Sequence, residues 1–145
     1  MSPVELRVMF EWSPGRGDRS YLGNKTSFDV AFLLDLGGGK NGILAIETKY
    51  HEHPKAVGIS ASNVPRYKEV ARASGLFSDT DLDALMRDDV SQVWLDHVLA
   101  LAMLQHPSGS WHWARFVTVY PDANSSWSRI TARLGGAPSS AATST

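Results

Sequence analysis

Two apolar runs joined by a link that only a tight turn can use constrain this chain most. Residues 27–36 read Ser-Phe-Asp-Val-Ala-Phe-Leu-Leu-Asp-Leu, a run broken by Asp29 and Asp35. Residues 43–50 read Ile-Leu-Ala-Ile-Glu-Thr-Lys-Tyr, and Gly37-Gly38-Gly39-Lys40-Asn41-Gly42 stands between the two. Glycines tolerate the left-handed backbone that a short reversal demands. The pattern predicts a β-hairpin with its turn near residue 39, which sets position 29 opposite roughly 49. The triple glycine is not a phosphate loop, because no helix start with Lys-Ser/Thr follows it.

Elsewhere the periodicities alternate between strand and helix. Residues 4–12 place Val4, Leu6, Val8, Phe10 and Trp12 on one face of a strand expected to be half-buried, with Glu5, Arg7, Met9 and Glu11 on the other. Residues 13–18 are loop punctuation. Asn63 is positioned to cap a helix over 64–74, with Pro65 in its first turn and Gly75 at its end. A short acidic helix is expected over 80–87. A longer one runs from Asp88 or Asp89 to about His106, apolar almost all round from 95 to 104 and therefore expected to be buried. Residues 113–120 read as a strand, and a last helix from Asn124 or Ser125 reaches about Leu134. The Ala/Ser/Thr-rich residues 135–145 read as a disordered tail after a single domain over 1–134. The order β-β-β-α-α-α-β-α predicts an α/β fold with a mixed sheet flanked by helices.

Composition excludes several chemistries. The 145 residues include no cysteine, so disulfides, thiolate catalysis and thiolate metal sites are all ruled out, and a cytoplasmic setting is the default expectation. No apolar run is long enough to span a bilayer. The net charge is −1, but it is unevenly spread. Residues 1–78 hold ten Lys/Arg against eight Asp/Glu, and residues 79–96 hold six acids against Arg87 alone. Such a balance permits a nucleic-acid partner without arguing for one.

The chemistry sits at the end of the second apolar run. Positions i and i+2 of a strand share a face, so Glu47 and Lys49 point the same way. Two charged groups among apolar neighbours must pair or serve something, because burying either alone is costly. The hairpin brings Asp29 within reach of both. Two carboxylates with nearby backbone carbonyls suit Mg²⁺, and a lysine beside such an ion can act on the attacking water or on the developing charge.

Asp29, then 17 residues, then Glu47-Thr48-Lys49 on consecutive hairpin strands resembles the D-x(n)-E-x-K core of the PD-(D/E)XK, or restriction-endonuclease-like, nuclease superfamily. The wider stretch from Trp12-Ser-Pro-Gly-Arg-Gly-Asp-Arg through Lys49-Tyr50-His51-Glu52 resembles a bacterial group of restriction endonucleases within it, a likeness covering about a third of the chain. The resemblance implies a restriction-endonuclease-like mixed sheet and metal-dependent hydrolysis of phosphodiester bonds in DNA. Mg²⁺ would be the cofactor, with Mn²⁺ able to substitute. It also implies Asp29, Glu47 and the Thr48 carbonyl as metal ligands, Lys49 as the catalytic lysine, and a homodimer by analogy.

The chain departs from the pattern in two places. Its first strand begins almost at Met1, with no preceding core helix and no helix acid, and Phe28 stands where the family's proline would precede Asp29. The alternative is therefore a catalytically inactive nuclease-like module that binds nucleic acid or another partner. A third reading, a metal hydrolase of small molecules, predicts a deep closed pocket. Glu11, Glu52 and Gln92 are accessory candidates, and His97 stands beside Gln92 on the long helix. Arg16, Arg19 and Lys25, in the loop leading to Asp29, are candidates for gripping phosphates; Trp12, Tyr21 and Trp111 are candidates for stacking on bases. His51-Glu52-His53 lacks the further ligands a zinc site needs and reads as solvated loop.

Overall fold

The computed structural model describes residues 5–49, 58–87 and 91–121. Strands β1 (Glu5–Trp12), β2 (Phe28–Gly37) and β3 (Lys40–Thr48) come first. Helices α1 (Val64–Ser74), α2 (Asp79–Arg87) and α3 (Ser91–Leu104) follow, and β4 (Trp111–Val119) completes the sheet. The strand order is β1-β2-β3-β4, with β2 antiparallel to both neighbours and β4 parallel to β3. The three helices supply the crossover that a parallel β3–β4 pair requires. The result is the expected mixed sheet flanked by helices. The helix expected over 124–134, the tail from 135 and His51-Glu52-His53 lie outside the described residues.

The hairpin forms as its glycines dictate. Gly37 pairs with Lys40, and the two residues between them, Gly38 and Gly39, have φ of 63° and 75°. Positive φ at both central positions is the hallmark of a type I′ reversal, whose twist matches that of the strands. The pairing runs Ala31 to Ala45 and Leu33 to Ile43, so these four share one face, and all four are buried. Phe116 of β4 lies beside Ala45 and packs on the same core. Helix α3 closes this face by packing on β4 and β3, with α1 and α2 packed in turn on α3. Its Trp94, Val98, Leu99 and Met103 are all but fully buried, as its apolar circumference requires.

Two local expectations are corrected. β1 is not half-buried: it is exposed on both faces up to Trp12, and Phe10 is 74% exposed. Its apolar residues pair with Val30, Phe32 and Leu34 on the sheet face turned away from the core, and β1 is the edge strand, while α3 covers the β3–β4 side. Asn63 does occupy the N-cap position of α1, but its side chain makes no capping bond. Its amide reaches the Tyr67 hydroxyl instead, which also receives a hydrogen bond from Asn24 Nδ2 at 2.8 Å.

The long β1–β2 loop is tied to the helical layer. Arg66 of α1 donates to the carbonyls of Tyr21 (2.6 Å) and Ser20 (2.8 Å). Tyr21 stacks on His106 with ring centroids 4.3 Å apart, and Ser20 Oγ lies 2.9 Å from His106 Nε2. The loop thus delivers the chain to Phe28 and Asp29 from an anchored position.

Candidate functional site

Glu47 and Lys49 occupy the last turns of backbone on β3 and just beyond it. Both are buried, at 4% and 7% exposure. Lys49 Nζ donates to Glu47 Oε1 at 2.6 Å, the ion pair that their shared face and apolar surroundings call for. The Lys49 backbone N–H donates to the Val119 carbonyl at 2.8 Å, which carries the parallel pairing past the end of β3 and fixes the lysine's direction.

Asp29 meets them from β2, in a register two residues off the expected one. Val30 pairs with Ile46, so Asp29 stands opposite Glu47 rather than Lys49. The turn centred between Gly38 and Gly39 and the register shift between Asp35 and Gly37 together set that offset. Asp29 Oδ2 accepts from the Thr48 backbone N–H at 2.8 Å and from Thr48 Oγ1 at 2.9 Å. Thr48, the middle residue of Glu47-Thr48-Lys49, therefore orients the carboxylate beside which Glu47 and Lys49 are placed.

A fourth charged residue joins this group from α3. Asp96 is 4% exposed, and its Oδ2 has no hydrogen-bond partner. Burial first, with the Glu47 and Asp29 charges adding to it and Lys49 opposing, pushes its carboxyl up to about 9. Glu47 is likewise raised, first by burial and also by the Asp29 charge, against the opposing hydrogen bond and charge of Lys49. Three acids and one amine thus act on one another across the ends of β2 and β3 and the first half of α3. The sequence pointed instead to Asp96's helical neighbours. Gln92 is half-buried, and His97 stacks on Phe116 at 6.0 Å and meets Phe77 edge-on at 5.7 Å. Only the docking of α3 on the sheet singles out Asp96; an isolated acid in an apolar helix was the available signal.

The remaining candidates fall around this cluster. Glu11 sits opposite Asp29 on β1, exposed and with φ of 45°, a left-handed backbone unusual for glutamate. Its carbonyl accepts from Arg16 at 2.9 Å, and its carboxylate is not among the charges that shift Glu47 or Asp96. Arg16, Arg19 and Lys25 are all exposed on the β1–β2 loop. Tyr21 is buried against His106, and Trp12 meets Trp111 edge-on at 6.1 Å. Glu52 lies outside the described residues.

The donor set fits a hard divalent cation. Asp29 and Glu47 bring carboxylate oxygens to one spot, and the orphaned, buried Asp96 oxygen beside them is the kind of group a cation satisfies. Among the described residues no three His, Cys, Asp or Glu side chains are grouped so as to hold a metal ion as they stand. Two grooves of the described surface, of about 290 and 610 Å³, are lined by other residues.

Compared with known families, residues 3–142 match the model of the PD-(D/E)XK nuclease superfamily. The chain belongs to that superfamily. No curated protein and no solved structure matches it. The match spans nearly the whole chain and includes the hairpin carrying Asp29 and Glu47-Thr48-Lys49. Nuclease activity on nucleic acid is what the superfamily stands for, and divalent metals are its general cofactor. Among the described residues no helix is long and apolar enough to cross a membrane.

Proposed function

We propose that this PD-(D/E)XK protein is a Mg²⁺-dependent endonuclease that hydrolyses DNA phosphodiester bonds, of restriction or defence type and acting in the cytoplasm. The convergence of Asp29, Glu47 and Lys49 at one end of the hairpin carries this reading. Asp29 and Glu47 would hold the ion, with the Thr48 carbonyl as a third oxygen and Mn²⁺ able to substitute. When bound, that ion supplies Lewis acidity to water and to the phosphate. Thr48 keeps Asp29 turned toward the site through two hydrogen bonds. Lys49, once released from Glu47, presents an ammonium to the attacking water or to the charge developing on phosphorus. Arg16, Arg19 and Lys25 would hold the phosphate backbone without reading its sequence. Glu11 and Glu52 would be accessory acids and Gln92 an accessory polar group. A homodimer would place two such sites for cutting both strands.

The 2.6 Å Lys49–Glu47 bond also favours a second reading. It joins to each other two groups the reaction needs, as expected of a nuclease-like module that binds nucleic acid without cutting it. Nicking of supercoiled plasmid in Mg²⁺ separates the two. The endonuclease reading expects cleavage that EDTA abolishes and that Lys49→Ala reduces at least a hundredfold. Salt-sensitive DNA binding with no cleavage, or full activity in Lys49→Ala, would overturn it.

A further inference from the structure

Asp96 lies outside the hairpin motif, on a helix packed over it, and nothing in the D…E-x-K pattern calls for it. An acid in the middle of α3 works against the fold. Its neighbours Trp94, Leu95, Val98 and Leu99 are buried apolar side chains, and an apolar residue of similar size would pack in its place. Its Oδ2 is shielded from solvent with no donor to receive, a state that native proteins rarely leave unresolved. The charges it feels are Glu47 and Lys49 on β3 and Asp29 on β2, the residues that meet at the candidate site. No arginine or second lysine is among them, so this cluster, among the described residues, has one amine for three acids. A divalent cation would correct that imbalance and give the orphaned oxygen a partner.

We infer that Asp96 is the third acid of the cation site, contributed by α3 and acting on an ion held by Asp29 and Glu47. This rests on the metal-dependent reading above. It also gives a reason for a buried carboxyl in the most apolar helix of the chain: the group is costly without the ion and useful with it.

Binding of Mn²⁺ alone, without nucleic acid, tests this. Loss of the free-ion electron paramagnetic resonance signal would be followed for the wild type, Asp96→Asn and Glu47→Gln, with melting temperatures recorded at pH 8. The wild type is expected to bind, and Glu47→Gln to lose binding. Asp96→Asn is expected to bind at least tenfold more weakly while melting, metal-free, no lower than the wild type. A loss through structural damage would instead lower that temperature. If Asp96→Asn binds within tenfold of wild type while Glu47→Gln does not bind, the inference falls and the metal-dependent reading stands. A metal-free Asp96→Asn protein less stable than wild type also overturns it, by showing that the carboxyl has a structural partner. Should the wild type itself fail to bind Mn²⁺, both fall.

Discussion

At the scale of single residues, the site is held in tension by charges that the fold buries. Lys49 and Glu47 neutralise each other at 2.6 Å with side chains 8% and 5% exposed. Removing one partner leaves the other charged and out of water, which typically costs 3–5 kcal/mol. Lys49→Met is expected near the low end, about 3 kcal/mol by urea denaturation at pH 7. Glu47, already raised by burial, can then escape by taking up a proton. The double variant Glu47→Gln/Lys49→Met should recover most of that loss, because no unpaired charge remains. Asp96 supplies a pH signature. Its folded value of about 9 lies above the ordinary 3.8, so the native state holds a proton that the unfolded chain releases. Stability therefore declines as pH rises from about 4 toward 9 and levels off beyond. Glu47, shifted in the same direction, adds to the decline above its ordinary 4.5. Melting temperatures recorded from pH 4 to 9 should show Asp96→Asn gaining on the wild type as pH rises. A constant gap across that range would contradict the assignment of a buried, proton-holding carboxyl. Asp29, Glu47 and Lys49 were legible in the sequence because a charged i, i+2 pair at the end of an apolar strand has few other uses. Asp96 was not, since one acid on a helix gives no clue to which sheet residues it will face.

Among the elements, legibility followed the strength of the local signal. Three glycines between apolar runs allow one hairpin, and the strands β2 and β3 formed where the runs lie. The register moved by two residues because the centre of the turn and the irregularity between Asp35 and Gly37 fix pairing, and composition states neither. Replacing Gly39 (φ 75°) by Ala should cost about 1 kcal/mol in denaturation. Gly38→Asn should be close to neutral, as asparagine accepts the left-handed conformation. β1 shows the converse failure. Alternation correctly announced a strand, but burial of its apolar face requires a covering layer, and alternation carries no information about where helices dock. The β1–β2 loop, whose residues 13–18 read only as loop punctuation, is clasped by residues over forty positions away. Arg66→Ala removes two charge-assisted bonds to the Ser20 and Tyr21 carbonyls. A loss of about 2 kcal/mol is expected. Faster amide hydrogen exchange at Tyr21 and Gly23, whose N–H groups bond within the same loop, should accompany it. If exchange there is unchanged, Arg66 is not what holds the loop.

Across the whole molecule, the sheet separates two tasks. One face receives α3 and buries the core, and one end of that face gathers Asp29, Glu47, Lys49 and Asp96. The exposed Arg16, Arg19 and Lys25 lie on the loop that leads into β2 just before Asp29. A net charge of −1 offers a polyanion no general attraction, which makes that local rim decisive if DNA is the substrate. Its contribution can be counted. Each phosphate neutralised by a basic side chain steepens the fall of log K with log salt by about 0.9 for duplex DNA. Binding to a short duplex, measured by fluorescence anisotropy in EDTA so that no metal-dependent cleavage intervenes, should weaken steadily with added salt. In the variant carrying Arg16→Ala, Arg19→Ala and Lys25→Ala the slope should flatten by about 2 to 3 units if all three touch phosphates. Because the three side chains are exposed, the same variant should melt close to the wild type. A slope that does not change would place the DNA on another surface of the sheet and remove these three residues from the interface.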